Sequence, residues 1–116
     1  MAVRRIVPNI AGHGQAGAAF YRDVLDMQIG MDLGWIVTFV ADAPTTPQVS
    51  VATQGGSGTD VPDISIEVDN LDEVLQRVQR GNFLIEYGPV TEPWGVRRFY
   101  VRDPFGRLIN ILEHTT

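Results

Sequence analysis

The sequence predicts an α+β fold of two successive βαβββ modules, pairing their strands in one larger curved sheet with a helix backing each module. Three observations predict it. The order strand, helix, three strands occurs twice, with a tryptophan at a comparable place in each half, Trp35 and Trp94. A Gly-, Ser- and Thr-rich segment, residues 54–60, separates the halves and reads as a flexible linker. The last stretch, residues 92–113, reads EPWGVRRFYVRDPFGRLINILE: a strand, a tight Asp-Pro-Phe-Gly turn and a strand, the closing hairpin of a sheet. Asp42-Ala43-Pro44 in the first half echoes Asp103-Pro104 in the second.

The elements follow in order. Residues 5–11 alternate as a first strand, with Ile6, Pro8 and Ile10 on one face and Val7, Asn9 and Ala11 on the other. Pro8 has no N–H for a ladder, so it belongs at an edge or an irregular pairing. After the Gly12-His13-Gly14 turn, residues 15–25 place Ala18, Tyr21, Val24 and Leu25 at helical spacing. Phe20 and Tyr21 are expected in the core. Residues 27–31, 34–41 and 48–53 read as three strands.

The second half begins at residues 62–68, where Ile64, Ile66 and Val68 alternate with Asp63, Ser65 and Glu67. Asn70 and Glu73 make a capping-box-like start to a helix over 71–80, which Gly81 ends. Its inward face is Leu71, Val74, Leu75 and Val78. Residues 83–87, 96–102 and 108–112 supply the last three strands.

Length and composition narrow the function. At 116 residues the chain suits one domain of two modules, about 1–54 and 61–116, so a site is shallow, shared or built at a dimer seam. No run approaches the roughly 20 apolar residues of a membrane span, and no signal pattern opens the chain. The expected location is the cytoplasm. The absence of Cys excludes disulfides, thiolate metal sites and thiol catalysis. A formal charge of −5 argues against nucleic acid and favours a neutral or cationic small partner.

Three motifs in this order, FYRDVLDM (residues 20–27), SIEVDNLDEV (65–74) and the DPFGRLINILEH ending, resemble the glyoxalase / bleomycin-resistance / extradiol-dioxygenase superfamily, the vicinal oxygen chelate fold. EPWGVRRFYVRDP is closest to its bleomycin-resistance-like branch. The resemblance implies a homodimer and a U-shaped sheet whose concave side holds a small molecule. It also implies a divalent metal, in those members that chelate one with His, Glu or Gln. The corresponding positions here are Ile6 or Val7, with alternation favouring Val7, then Asp63, Asn110, and Gln48 or Ser50. An oxygen-only set without imidazole is a poor transition-metal site, so no metal and no other cofactor is expected. His13 and His114 are expected to be solvated surface residues.

On this reading the cavity receives Asn9, Asp63, Ser65, Glu67 and Asn110, with Trp35, Glu92, Trp94, Arg98 and Tyr100 at its rim or wall. Trp94 beside Gly95 is either a stacking platform for a planar ligand or a structural plug. Arg97 and Arg98 are neighbours on a strand and point to opposite faces; Arg98, with Tyr100, is assigned to the cavity. No nucleophile constellation or phosphate loop is legible. The expected function is therefore metal-independent binding of a planar or cationic small molecule, with antibiotic sequestration its most concrete form. The alternative is a lyase, isomerase or dioxygenase of the same superfamily.

Overall fold

The computed structural model describes residues 2–43 and 46–115, so Pro44 of the Asp42-Ala43-Pro44 echo lies outside the described residues. Its elements are β1 (Val3–Ala11), α1 (Gly14–Tyr21), β2 (Gln28–Asp32), β3 (Ile36–Val40), β4 (Gln48–Ala52), β5 (Ile64–Val68), α2 (Leu71–Arg80), β6 (Ile85–Glu92), β7 (Val96–Arg102) and β8 (Leu108–His114). This is α+β with βαβββ twice, as the sequence predicts. By contacts the chain forms two units, an N-terminal one over Val7–Val61 and a C-terminal one over Pro62–Thr116 that also takes the start of the chain to Ile6. Strand β1 therefore contributes to both.

In the N-terminal unit the strand order is β2-β3-β4-β1. β1 runs parallel to β4, while β2/β3 and β3/β4 are antiparallel. Helix α1 covers one face, where Ala18 meets Val37, Phe39, Val49 and Val51, with Tyr21 and Met27 packed alongside. The fit is close: a Cβ at Gly14 would lie 2.4 Å from Val37 Cγ2, so only glycine lets the helix start there.

The helix is shorter than the sequence pattern predicts. It ends at Tyr21, and residues 22–25 continue as turns in which Asp23 and Leu25 reach back five residues, to the Ala18 and Phe20 carbonyls. Asp26, at φ 59°, then breaks the helical path. The widened turns rotate the apolar stripe off the sheet. Tyr21 stays half-buried in the core, but Phe20, Val24 and Leu25 are exposed, and the expectation of a core role for Phe20 does not hold.

The linker is a second correction, because residues 54–60 form a folded loop. Gly55 and Gly56 are buried; the Gly55 N–H donates to the Thr59 carbonyl at 2.7 Å and Gly58 N–H to Gln54 Oε1 at 2.9 Å. Gly56, Ser57 and Gly58 all have positive φ, and glycine at two of these three positions makes such tight backbone folding affordable.

In the C-terminal unit the order is β5-β8-β7-β6, with β5/β8 parallel and the other two pairs antiparallel. This repeats the first unit's pattern. Asn70 caps α2 by accepting the Glu73 N–H at 3.2 Å, and Gly81 ends it. Leu71 is fully buried against Val68, Phe99, Val101, Ile109 and Ile111, with Val74, Leu75 and Val78 packed onto the same cluster. Strand β6 starts two residues later than predicted, because Phe83 still donates to the Val78 carbonyl of α2. It also runs on through Gly88-Pro89 to Glu92, since a register shift between Tyr87 and Val90 absorbs the proline on an outer strand.

Asp103 locks the β7–β8 turn by accepting the N–H of Phe105 and of Arg107, each at 2.9 Å, while Gly106 takes φ 79°. Among the described residues no helix is long and apolar enough to cross a membrane.

Equilibrium urea unfolding separates a buried side chain of α2 from an exposed one of α1. Leu71→Ala, at a fully buried side chain, is expected to lose about 2–5 kcal/mol. Phe20→Ala, at an exposed one, is expected to lose about 0.5 kcal/mol or less.

Candidate functional site

Side chains alternate along β7 and β8, and in the C-terminal unit α2 occupies only one sheet face. Phe99, Val101, Ile109 and Ile111 point to the helix. Arg98, Tyr100 and Asn110, with Ser65 and Glu67 of β5, take the opposite face. That face sets polar groups between Leu108 and Leu112, and most of it is shielded: Arg98, Tyr100, Glu92 and Asn110 are all buried.

At its centre Arg98 and Glu92 form an ion pair, with side chains only 3% and 4% exposed and Nη2 2.7 Å from Glu92 Oε2. Arg98 Nε donates to the same oxygen at 2.9 Å and Nη1 to the Tyr100 hydroxyl at 3.1 Å. The Tyr87 hydroxyl completes the group, donating to Glu92 Oε2 at 3.1 Å. The guanidinium carbon lies 5.1 Å from the Trp94 ring centre, 4.9 Å from that of Tyr100 and 5.4 Å from that of Tyr87. A buried cation needs such compensation, and carboxylate, phenol and aromatic faces supply it. Trp94 is half-buried, so it both stacks on Arg98 and meets solvent. Arg97 points the other way and donates to Asp72 of α2 at 2.6 Å.

Along β5 and β8 three polar contacts follow one another. Asp63 Oδ2 accepts the Leu108 N–H at 3.0 Å, with Arg107 4.0 Å from its other oxygen. Asn110 Nδ2 donates to Ser65 Oγ at 3.1 Å. Asn110 Oδ1, by contrast, is buried and finds no hydrogen-bond partner among the described residues. Glu67 holds Arg5 Nε at 3.0 Å and His114 Nδ1 at 2.9 Å. His114 is thus exposed yet tethered, which sequence reasoning missed by ending the last strand at residue 112. Its even number on β8, four beyond Asn110, is the signal that could have found it.

Asn9 and Trp35 belong to the N-terminal unit. Asn9 stands opposite Ser50, whose hydroxyl is hydrogen-bonded to that of Thr38 at 2.7 Å. Trp35 is half-buried, and its carbonyl accepts the Thr53 N–H at 2.9 Å. Asn9 opposite Ser50 repeats Ser65 opposite Asn110, and Thr38 opposite Ser50 repeats Tyr100 opposite Asn110. The repeat settles the register of the fourth strand: Ser50, not Gln48, is the counterpart of Asn110, and Val7 that of Asp63.

These four positions do not fit a His/Glu chelate. Val7 is a buried aliphatic, Ser50 is bonded to Thr38, Asp63 is bonded to the β8 backbone, and Asn110 is a neutral amide. Among the described residues no three His, Cys, Asp or Glu side chains cluster as metal ligands. His13, exposed at the start of α1, makes no side-chain cap bond. At the outer end of β6, Arg102 donates to both Glu86 oxygens at 2.7 and 3.0 Å, and this hydrogen bonding holds the Glu86 carboxyl below the usual carboxylate range.

A family model described as the glyoxalase-like domain matches residues 9–115. Solved structures share the fold. A Legionella pneumophila protein described as NAD-dependent benzaldehyde dehydrogenase has TM-score 0.74 at 18% identity, over 95% of this chain and 99% of that one. A glyoxalase/bleomycin resistance protein/dioxygenase superfamily member from Vibrio splendidus 12B01 has TM-score 0.66 at 18% identity, over 97% and 99%. Methylmalonyl-CoA epimerase from Mycobacterium tuberculosis has TM-score 0.65 at 15% identity, over 98% and 88%. None of the curated proteins compared matches the chain.

The Arg98–Glu92 pair makes a direct prediction. Arg98→Leu and Glu92→Leu, each stranding a buried charge, are expected to cost about 3–5 kcal/mol singly. The double variant is expected to lose much less than their sum, by urea unfolding.

Proposed function

This chain belongs to the glyoxalase-like domain family, and on that basis we propose that it is a small-molecule-binding protein working without a metal at its polar sheet face. Antibiotic sequestration of the bleomycin-resistance kind is the most concrete form. The observation that carries the reading is a shielded sheet face furnished with hydrogen-bonding and aromatic groups among its leucines, and without a chelating set among the described residues. A half-buried Trp94 offers a ring for stacking, and Asp63, partly exposed with Arg107 no nearer than 4.0 Å, adds a carboxylate. With a chain charge of −5 these groups favour a flat, cationic compound over an anion. We place Asp63, Ser65, Glu67, Trp94 and Asn110 among the ligand-contacting residues of the C-terminal unit, Asn9 and Trp35 among those of the N-terminal unit, and assign Glu92, Arg98 and Tyr100 the task of holding Trp94 in place.

A homodimer accompanies this proposal. Phe20, Val24, Leu25, Ile29 and Met31 leave apolar surface exposed on the N-terminal unit, which a second copy would cover.

One observation favours an enzymatic second reading. Glu67 fixes His114 through Nδ1, the arrangement that orients an imidazole as an acid or base for a proton-transferring isomerase or lyase.

Titration of bleomycin-type and other planar cationic antibiotics against intrinsic tryptophan fluorescence tests the first reading. Quenching is expected, and Trp94→Phe should weaken binding by about tenfold, equivalent to roughly 1.4 kcal/mol of lost stacking. No quenching by any of these compounds sinks the sequestration form. Turnover in a glyoxalase-type assay that disappears in His114→Ala would favour the enzyme.

A further inference from the structure

We propose that Asn110 is the polar selector of this ligand face, admitting a compound with a hydrogen-bond donor, such as an amide N–H, amine or hydroxyl, and discriminating against one that offers only acceptors. The inference rests on the reading of the face as a small-molecule site and adds the chemistry of what the site takes.

Asn110 is 7% exposed, and its two amide atoms have unequal fates. Nδ2 is spent on Ser65 Oγ at 3.1 Å, which fixes the plane of the amide. Oδ1 is left shielded from solvent with no donor among the described residues. A buried carbonyl oxygen in that state has lost its water and gained nothing in return, so a donor delivered to it forms a bond the free protein lacks. In a poorly solvated place that bond is stronger than in water. An acceptor brought to the same atom meets repulsion.

The surroundings point the same way. Tyr100, opposite Asn110 on β7, already accepts from Arg98 with its hydroxyl. Arg98 in turn is neutralised by Glu92, and Arg5 lies against Glu67, so the cations of this face are engaged with carboxylates. Asp63 stands two residues before Ser65, just ahead of β5, with its side chain partly exposed. A carboxylate or phosphate ligand would find acceptors here, whereas a neutral or cationic donor would find Oδ1.

The test uses the full ¹⁵N-labelled chain and three small probes of matched shape: acetamide, N,N-dimethylacetamide and acetate. Backbone amides of Ser65, Tyr100 and Asn110 are expected to shift with acetamide at concentrations about tenfold below those needed with N,N-dimethylacetamide, and not with acetate. Asn110→Asp, which keeps an acceptor, should retain the acetamide response, and Asn110→Leu should lose it. Ser65→Ala frees the amide to turn its N–H₂ inward, so the preference for acetamide should narrow even if Asn110→Leu does not fold. Equal shifts with all three probes would overturn the donor selection while leaving the face as a small-molecule site. No shift with any probe would overturn the selection and count against the site reading as well.

Discussion

A strand gives each successive side chain to the opposite face, and in the C-terminal unit a single helix covers one face alone. Everything characteristic of this unit follows from that constraint. β7 and β8 must satisfy an apolar core with Phe99, Val101, Ile109 and Ile111 while their intervening residues face away from α2. Those intervening residues include Arg98, Tyr100 and Asn110, buried beside Leu108 and Leu112 of the same face. A sheet buried on both faces ordinarily carries apolar residues throughout, so polar residues here need internal partners or a ligand.

Two solutions stand side by side on that face. Around Arg98 the partners are internal: one carboxylate and three aromatic rings leave the guanidinium enclosed and neutralised. Such a pair adds little net stability compared with an apolar replacement, because desolvation offsets most of the attraction. Its effect is to fix geometry, and the side chain it fixes at the solvent boundary is Trp94. Around Asn110 the compensation is incomplete, with one amide atom bonded and the other bare. The enclosed pair gives the face rigidity, and the bare oxygen gives it a preference.

Most of the fold was legible in the sequence because it rests on periodicity and caps. Alternation marked β5, the strand, Asp-Pro-Phe-Gly turn and strand marked β7 and β8, and Asn70 with Glu73 marked the start of α2, which matches the structure. Where the sequence misled, a backbone detail intervened. The apolar stripe of α1 looked longer than it is because reach-back bonds of five residues and a left-handed Asp26 turn Phe20 outward. The glycines of residues 54–60 looked like slack chain, yet serve tight turns with buried backbone. On the polar face, alternation separated Arg97 from Arg98, but nothing local could show that Glu92 would close on Arg98 or that Glu67 would hold His114. Those pairings depend on which strands become neighbours, and β5 meets β8 only after a gap of some forty residues.

The chain thus retains the glyoxalase-like fold, while the positions that the family resemblance would make metal ligands carry an aliphatic, a hydroxyl, a backbone-bonded carboxylate and an amide. Under the function proposed above, this face holds an organic molecule without an intervening metal ion. A crystal structure of protein purified without added ligand, collected with anomalous data at transition-metal edges, tests it most directly. Organic density donating to Asn110 Oδ1, with no anomalous peak nearby, is expected. A stoichiometric divalent ion bound by Asp63 and Asn110 would contradict it.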